Sequence, residues 1–519
     1  METNASPAAP IPPRGLFRRI FSWKTLRRLL LTAAVLYTLA AVVMAVETWR
    51  GRRAWAAYKL EQEALGEPLE IEAFKPKPVP DDQNFATTPL LKPLLSYHYD
   101  RTPGKAHQLV WENPTGLQYV QAINHTARMP KGTNAPSMGN AIKSQTTDIP
   151  AWAGFYRGNT NYPQAAADAK PGAVVLTALS KYQAEIDEIR TASKRPFSQF
   201  DIHVQEGVDA LLPQLAVLKS FSSMIRLSAL AHLSLGQRGE AFEDLELCFR
   251  IANTLSTEPT LISQLVRIAL LSIGTETAWE GFQQHAWTEP QLNRLQEIAS
   301  KFNLLEDYQF AMRSERAFGN KLLDRLIQGG YDAASTGLVD EGSARVMKLV
   351  PIGWFYQNKL TINRMHASMV FTSVDPKKRR AFPERAEALE NAFVHASITP
   401  YNMLARMLMP ALAKAAAKSA RGQAGLDFLQ IASALEKHRL AQGAYPKSLE
   451  GLTPNQLKTI PNDLIDGKPL RYRLETHGGY TLYSIGWDAK DDDGKPVGFK
   501  KLPSISEREL GDWIWTVAP

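Results

Sequence analysis

The stretch LLLTAAVLYTLAAVVMAV, from Leu29 to Val46, contains no charged residue, no proline and no glycine. At ~1.5 Å per residue, a helix of this length reaches ~27 Å, about the thickness of the hydrocarbon core of a bilayer. The stretch therefore predicts a transmembrane anchor, which places the rest of the chain on one side of a membrane. Two alternatives stay open: a cleaved signal peptide, with Val43 and Ala45 before the cut, and a buried helix of a soluble domain.

Basic residues flank this stretch unequally, with six before it and four shortly after it. They are Arg14, Arg18, Arg19, Lys24, Arg27 and Arg28 before it, and Arg50, Arg52, Arg53 and Lys59 after it. Basic residues stay preferentially on the cytoplasmic side. The excess therefore predicts a cytoplasmic N-terminal tail and a single-pass protein of the cell membrane. Most of its chain would be extracytoplasmic, in the periplasm.

The net charge of +8 is concentrated at the N-terminal end of the chain. Residues 1–59 contain ten Lys or Arg and two acids, so the remaining residues are neutral overall. A neutral body has no basic excess for phosphates, and the sequence predicts no nucleic-acid partner. Cys248 is the only cysteine, so no intrachain disulfide can form and stability must come from core packing.

Composition and periodicity divide the chain into seven parts. They are a basic cytoplasmic tail (1–28), the transmembrane anchor (29–46), a juxtamembrane helix with a proline-rich spacer (47–95), an irregular segment that contains aromatic residues (96–171), an α-helical repeat-like domain (172–330), a loop-rich and helical connection (331–399), and a long helix with a small sheet module (400–519). The expected fold class is mainly α, with an N-terminal transmembrane helix, an α-helical hairpin or solenoid-like domain, and a small C-terminal α+β module with an antiparallel sheet.

The repeat-like domain is predicted from two apolar helix faces, within 211–221 and 242–252, which are separated by Gly236 and Gly239. Two amphipathic helices joined by a short turn form a helical hairpin. The hairpin resembles one tetratricopeptide unit at Ala229, Gly236, Ala241 and Leu245. This resemblance implies stacked helices with a groove for a partner peptide.

The C-terminal module is predicted from a helix that ends at Gly443, followed by alternating strands in LRYRL (470–474) and YTLYSI (480–485). Asp466-Gly467 and Gly478-Gly479 are the turn signals around these strands. WIWTV (513–517) is a candidate for a further strand. One helix followed by a small antiparallel sheet is therefore expected.

This module resembles the C-terminal region of the major pseudopilins of type II secretion systems, over roughly residues 425–519. The likeness rests on Gly-x-Tyr-Pro at 443–446, Asp-Gly-Lys-Pro-Leu-Arg-Tyr at 466–472 and Tyr-Ser-x-Gly-x-Asp at 483–488. In that family an acidic loop after the matching strand binds calcium, so the resemblance implies Asp488, Asp491 and Asp493 as calcium ligands. A solvated acidic turn is the alternative for this loop.

The chain departs from the pseudopilin pattern at its N-terminal end. Its apolar helix lies hundreds of residues before the module, and no prepilin cleavage pattern precedes it, since Ile20 stands where the family has Glu. Assembly as a pilus subunit is therefore not predicted. The layout of anchor, spacer, helical domain and module also resembles a group of bacterial single-pass membrane proteins, which implies no activity.

Motifs for catalysis are missing from the sequence: it has no phosphate loop, GxSxG, HExxH, CxxC or dinucleotide fingerprint. No catalytic or cofactor-binding residue is therefore predicted. The leading hypothesis is a membrane-anchored extracytoplasmic interaction or scaffold protein with a protein partner, associated with secretion or cell-envelope machinery. The alternatives are an enzyme of unrecognised family, with a pocket between the helical domain and the aromatic-rich segment, and a self-associating structural envelope component.

Overall fold

The computed structural model describes residues 23–100, 108–130, 135–204, 206, 210–328, 350–395, 397–501 and 507–519. Five of the seven predicted parts fall partly outside these residues, and the longest stretches outside are the cytoplasmic tail up to Ser22 and residues 331–349 of the connection. The protein is mainly helical, and a small antiparallel sheet forms near its C-terminal end. The predicted fold class is therefore confirmed.

Helices run through most of the described chain. They are α1 (Trp23–Ala64), α2 (Pro114–Ala127), α3 (Ile149–Tyr156), α4 (Pro171–Leu179), α5 (Gln183–Ala192), α6 (Pro213–Ser234), α7 (Arg238–Asn253), α8 (Leu261–Gln283), α9 (Glu289–Ser300), α10 (Leu304–Ile327), α11 (Ile352–Met365), α12 (Pro383–His395), α13 (Met403–Leu408) and α14 (Pro410–Gln442).

The strands are short and pair antiparallel. They are β1 (Tyr97–Asp100), β2 (Gln108–Trp111), β3 (Val374–Asp375), β4 (Arg380–Ala381), β5 (Arg471–Leu474), β6 (Tyr480–Ser484), β7 (Pro496–Lys501), β8 (Glu507–Gly511) and β9 (Trp513–Val517). β1–β2, β3–β4 and β7–β8 are two-stranded ladders, whereas β6 lies between β5 and β9. In this central sheet Tyr472 pairs with Leu482, and Leu482 pairs with Trp515. The predicted hairpin and last strand are therefore present.

The predicted anchor forms the first part of α1. Its most apolar window has a mean hydropathy of 2.4, and 0% of it is buried in the protein. α8 is also long and apolar enough to span a membrane, but half of its window is buried in the body. The exposed apolar surface of α1 fits membrane association and argues against the buried-helix alternative.

α1 continues without a break beyond the apolar stretch, and its last turns pack against α11. The two backbones approach closely at Gly51 and Gly353. A Cβ added to Gly51 would lie 2.8 Å from the Cβ of Tyr356, and one added to Gly353 would lie 2.7 Å from the backbone nitrogen of Thr48. Only glycine allows this crossing, because no side-chain movement relieves a clash with backbone atoms.

Buried charges strengthen this junction between α1 and the body. Lys359 of α11 is buried, with its Nζ 4.1 Å from the ring centroid of Trp55 and 2.7 Å from Asp324 Oδ1. Just after α1, Glu67 accepts a hydrogen bond at 2.9 Å from Nη2 of Arg316, which is fully buried in α10. The end of α1 is therefore held by apolar packing and by ion pairs.

In the proline-rich spacer the backbone is extended at Lys75, with φ −70° and ψ 120°, and at Pro80, with φ −61° and ψ 137°. It does not stand free of the body. Ile71 and Phe74, just before it, are buried, and Gln199 Nε2 donates a hydrogen bond at 3.3 Å to the carbonyl oxygen of Pro76. The spacer therefore runs along the surface of the helical domain.

The segment 96–171 differs from its prediction as an irregular stretch, because it contains the β1–β2 hairpin and the helices α2 and α3. Asn113 Oδ1 caps α2 by accepting a hydrogen bond from Gly116 N at 2.9 Å, and Asp148 caps α3 in the same way. Each cap precedes a helix that begins with proline in its first turn. Trp152 of this segment is buried in the main hydrophobic core, so an aromatic side chain helps to hold the segment to the body.

α6 and α7 form the predicted helical hairpin, with Gly236 in the left-handed region at φ 75° between them. Pro410 begins α14, and Gly443 ends it at φ 78°. α14 packs against α8, α9 and α10, and one continuous hydrophobic core joins these helices to the C-terminal sheet. The predicted boundary between helical domain and C-terminal module therefore does not separate two cores.

We expect Gly353→Ala to destabilise the junction of α1 and α11 by about 1–3 kcal/mol, the usual cost of overpacking. The reason is that the added methyl group collides with the backbone of α1 at Thr48. Thermal unfolding of the full chain in detergent, followed by circular dichroism, measures this loss.

The matched control is Gly154→Ala in α3, where an added Cβ meets no atom within 4 Å. It should gain stability slightly, since alanine is the better helix former. Equal melting temperatures for the Gly353→Ala variant and the native chain would show that the junction is not tight.

Candidate functional site

The last strand, β9, is fixed to α8 by a forked hydrogen bond. The carbonyl oxygen of Thr516 accepts from Trp279 Nε1 at 2.8 Å and from Gln283 Nε2 at 2.6 Å. These two side chains are four residues apart, so they project from the same face of the helix. Gln283 Oε1 also accepts from the backbone nitrogen of Ala518 at 3.1 Å. The edge of the sheet and α8 therefore act as one packed unit.

A cleft of about 310 Å³ lies where α8, α14, β9 and the turn at residues 141–143 meet. Its lining combines aromatic and charged side chains. The aromatic ones are Phe428, Trp513 and Trp515, and the charged ones are Glu276, Lys418 and Arg421. This volume is at the lower end of the range for ligand pockets and can hold one or two side chains of a partner.

Two glycines of α14 line the cleft, and they differ in what surrounds them. A Cβ added to Gly422 would lie 2.8 Å from Leu304 Cδ1, so this glycine permits close packing on α10. A Cβ added to Gly425 would meet no atom within 4 Å. The surface of Gly425 therefore faces open space.

A buried ionic cluster connects the helical domain to the segment 96–171 beside this cleft. Arg226 of α6 forms an ion pair with Glu276, and its Nη2 donates to Glu280 Oε1 at 3.0 Å and to the carbonyl oxygen of Gly139 at 2.7 Å. Thr147 donates from its backbone nitrogen and its hydroxyl to Glu280, both at 2.8 Å. The enzyme alternative predicted a pocket between the helical domain and the segment 96–171. The contact between these two parts is therefore polar and contains titratable groups.

Glu276 belongs to this cluster and also lines the cleft. Burial raises the pKa of Glu276, and the neighbouring guanidinium of Arg226 offsets only part of that effect. A carboxyl group with a raised pKa in a cleft is a feature of acid–base sites, although structural ion pairs produce it as well.

Lys418 and Arg421 lie about one turn apart on α14 and bring positive charge to the cleft. Lys418 is exposed, whereas Arg421 is half-buried and close enough to Glu276 to lower its pKa in part. The set contains three cationic side chains, Arg226, Lys418 and Arg421, and two carboxylates, Glu276 and Glu280. With all five ionised, it carries one excess positive charge.

A second network fixes the far end of α14. Glu436 is buried and accepts hydrogen bonds from Tyr445 Oη at 2.7 Å and from Arg439 Nη2 at 2.6 Å, and His285 Nδ1 lies 3.1 Å from it. Burial alone would raise the pKa of Glu436, but the bonds from Arg439 and Tyr445 outweigh it and lower the pKa. Glu436 therefore joins α14 to the loop after α8 and to the start of the C-terminal module.

The three aspartates of the predicted calcium loop each contact a different residue. Asp488 Oδ2 accepts from the backbone nitrogen of Gly511 at 3.1 Å, Asp491 Oδ2 lies 3.4 Å from Arg471 Nε, and the carbonyl oxygen of Asp493 accepts from Arg473. Within the described ranges, no group of three or more His, Cys, Asp or Glu is placed to hold a metal ion. The calcium site that the resemblance implies therefore gains no support here and stays a prediction.

The residues of the cleft were not found by the sequence analysis. One signal was available, since Glu276 and Glu280 are carboxylates four residues apart in α8, a helix apolar enough to be buried. Such residues need a buried cation, but the sequence does not indicate that Arg226 supplies it.

Comparisons of this chain with protein-family models, with curated proteins and with solved structures find no match. The likeness of residues 425–519 to pseudopilins therefore stays a resemblance of short motifs, and functional conclusions must come from the geometry of the chain itself.

Glu276 and Glu436 should give opposite pH dependence of stability. The folded-state pKa of Glu276 lies above its ordinary value of 4.5, so ionisation between pH 4.5 and the raised pKa costs stability. Glu276→Gln should therefore gain stability relative to the native chain as the pH rises through that window. The folded-state pKa of Glu436 lies below 4.5, so its charge stabilises above pH 4.5 and this contribution is lost as the pH falls through the lowered pKa.

Glu436→Gln should therefore cost about 3 kcal/mol at neutral pH, as for a broken buried pair, and less in acid. Thermal unfolding of the full chain over a pH series measures both variants. Glu243→Gln, at an exposed position of α7, is the control and should change neither slope. If both variants changed in the same direction with pH, the assigned causes would be wrong.

Proposed function

We propose that this protein is a single-pass, membrane-anchored scaffold whose body lies outside the cytoplasm and binds a protein partner in the cleft between α8, α14 and β9. The observation that carries the proposal is the cleft, which offers aromatic and charged groups on rigid elements from distant parts of the chain. Such mixed surfaces suit protein recognition, where aromatic anchors supply affinity and charges supply specificity.

The anchoring part of the proposal rests on the exposed apolar half of α1. The orientation rests on the excess of basic residues before the apolar stretch, which favours a cytoplasmic N-terminus. Protease added outside intact spheroplasts should then digest the body, and protection of the body would reverse the orientation.

The chemistry of the cleft selects the partner. Lys418 and Arg421 supply positive charge on one side, and Trp513 and Trp515 supply an aromatic wall on the other. The expected partner is a protein segment that places an apolar side chain against the tryptophans and an acidic group near α14. The link to secretion or cell-envelope machinery, and to the periplasm, rests on the pseudopilin resemblance alone.

We expect Gly425→Leu to abolish partner binding without destabilising the fold. The leucine side chain has open space to occupy, so it fills the cleft, and it is a better helix former than glycine by up to ~1 kcal/mol. Affinity purification of the tagged chain from membranes in mild detergent, followed by mass determination, measures whether a stoichiometric partner is retained.

The matched control is Gly319→Leu in α10, another half-buried helical glycine whose added Cβ would meet no atom within 4 Å. It should keep the partner, and the double charge reversal Lys418→Glu/Arg421→Glu should lose it. A partner that survives Gly425→Leu would exclude this cleft as the binding site. Adding a calcium chelator to the native chain tests the acidic loop separately, and a defined homo-oligomer would favour self-association.

A second candidate function, an enzyme that uses acid–base chemistry in the same cleft, is favoured by the raised pKa of Glu276. Its substrate would contact Glu276 beside the aromatic wall. The test is a panel of amide, ester and glycoside substrates with the purified chain. A turnover that Glu276→Gln removes without lowering the melting temperature would favour this function, whereas an equal turnover in both proteins would exclude Glu276.

A further inference from the structure

A second concave surface lies where α1 leaves its apolar stretch. It is a groove of about 970 Å³ between residues 44–56 of α1 and residues 350–352 at the start of α11. We call it the exit groove. The residues that carry its chemistry are Met44, Ala45, Trp49, Arg52, Arg53 and Ile352.

The exit groove is amphipathic along the axis of α1. Met44 and Ala45 belong to the apolar stretch, whereas Arg52 and Arg53 lie about two turns further along the helix, at ~1.5 Å per residue. The groove thus passes from apolar to basic over ~12 Å, which is long enough to cross the headgroup layer of about 5–8 Å on one side of the hydrocarbon core.

Aromatic rings hold the two arginines at the basic end of the groove. The guanidinium carbon of Arg52 lies 6.0 Å from the ring centroid of Tyr356, and that of Arg53 lies 5.5 Å from the ring centroid of Trp49. Both arginines are exposed, and the ion pairs found among the described residues do not include either of them. Their N–H donors are therefore available to an anion.

We propose that the exit groove binds one phospholipid with an anionic headgroup, taken from the membrane leaflet on the side of the body. The phosphate and the headgroup would lie at Arg52 and Arg53, and an acyl chain would follow Met44, Ala45 and Ile352 towards the hydrocarbon core. The proposal requires that α1 be inserted in a membrane, but it needs neither the partner cleft nor a particular orientation.

The apolar end of the groove selects a lipid over a soluble phosphate. A free phosphate would use only the arginines, whereas a lipid would also contact Met44 and Ile352, whose apolar side chains are both partly exposed. An acyl chain covers that apolar surface, and the groove opens onto the exposed face of the anchor from which a lipid can enter. Arginines just outside a span are also the residues that attract anionic lipids.

Lipid titration followed by native mass spectrometry tests this assignment. The full chain, freed of lipid in detergent, is titrated with phosphatidylglycerol, with zwitterionic phosphatidylcholine and with glycerol phosphate as the free headgroup. We expect one phosphatidylglycerol to bind per chain in preference to phosphatidylcholine. Arg52→Gln/Arg53→Gln should bind it about thirtyfold more weakly, because each arginine near an anionic lipid contributes roughly fivefold.

Three variants separate the causes of such a loss. Arg52→Lys/Arg53→Lys keeps the charge and should retain most of the binding, which a misfolded junction would not. Lys447→Gln/Lys458→Gln removes the same charge from exposed sites of the C-terminal module and should have no effect. Ala45→Trp should fill the apolar end and weaken binding of phosphatidylglycerol but not that of glycerol phosphate.

Two results would overturn the proposal. One is equal binding of phosphatidylglycerol and phosphatidylcholine, or unchanged binding after Arg52→Gln/Arg53→Gln. The other is glycerol phosphate competing as well as the lipid while Ala45→Trp has no effect, which would assign the site to a soluble phosphate. Gly425→Leu should leave lipid binding intact, so failure of the partner proposal is distinguishable from failure of this one.

Discussion

The burial of two carboxylates in α14 is the constraint on which the rest of the body depends. A buried charge is costly unless it is paired, so Asp427 and Glu436 each require a cation from their surroundings. Arg379, in the turn between β3 and β4, donates to both oxygens of Asp427 at 2.8 and 2.9 Å, and Arg439 pairs with Glu436. The bond from Arg379 fixes the β3–β4 turn on α14, and the contacts of Glu436 with His285 and Tyr445 fix the loop after α8 and the C-terminal module on the same helix. The cleft between α8, α14 and β9 lies beside that helix because its neighbours are held in this way.

Local signals account for the elements that the sequence analysis found. The anchor, the turn at Gly236 and the end of α14 at Gly443 each depend on a few neighbouring residues, and so do the strands 471–474 and 480–484. The segment 96–171 was misjudged although Asn113 and Asp148 precede prolines in the pattern of helix caps. The weak apolar periodicity of this segment favoured an irregular structure, whereas the helix-cap pattern correctly indicated helices.

The cleft could not be predicted because it depends on pairs that are far apart in sequence. Thr516 is joined to Trp279 and Gln283, and Arg226 is joined to Glu280 and to the carbonyl oxygen of Gly139. The sequence does not indicate which distant residue each of these side chains contacts. The core shared by the helical domain and the sheet module could not be predicted for the same reason, since it forms only when α14 packs against α8, α9 and α10.

Because α1 is one unbroken helix, a tilt of its apolar stretch would also move the body. From Val46 to Ala64 the helix extends ~27 Å beyond the apolar stretch, and the Gly51–Gly353 crossing clamps the body to this extension rather than to a flexible tether. A tilt of the span by ~20°, an average value for membrane helices, would displace the far end of the extension sideways by about 9 Å. Bilayer thickness influences the tilt of a membrane helix, so the position of the body relative to the membrane would depend on the thickness of the surrounding bilayer.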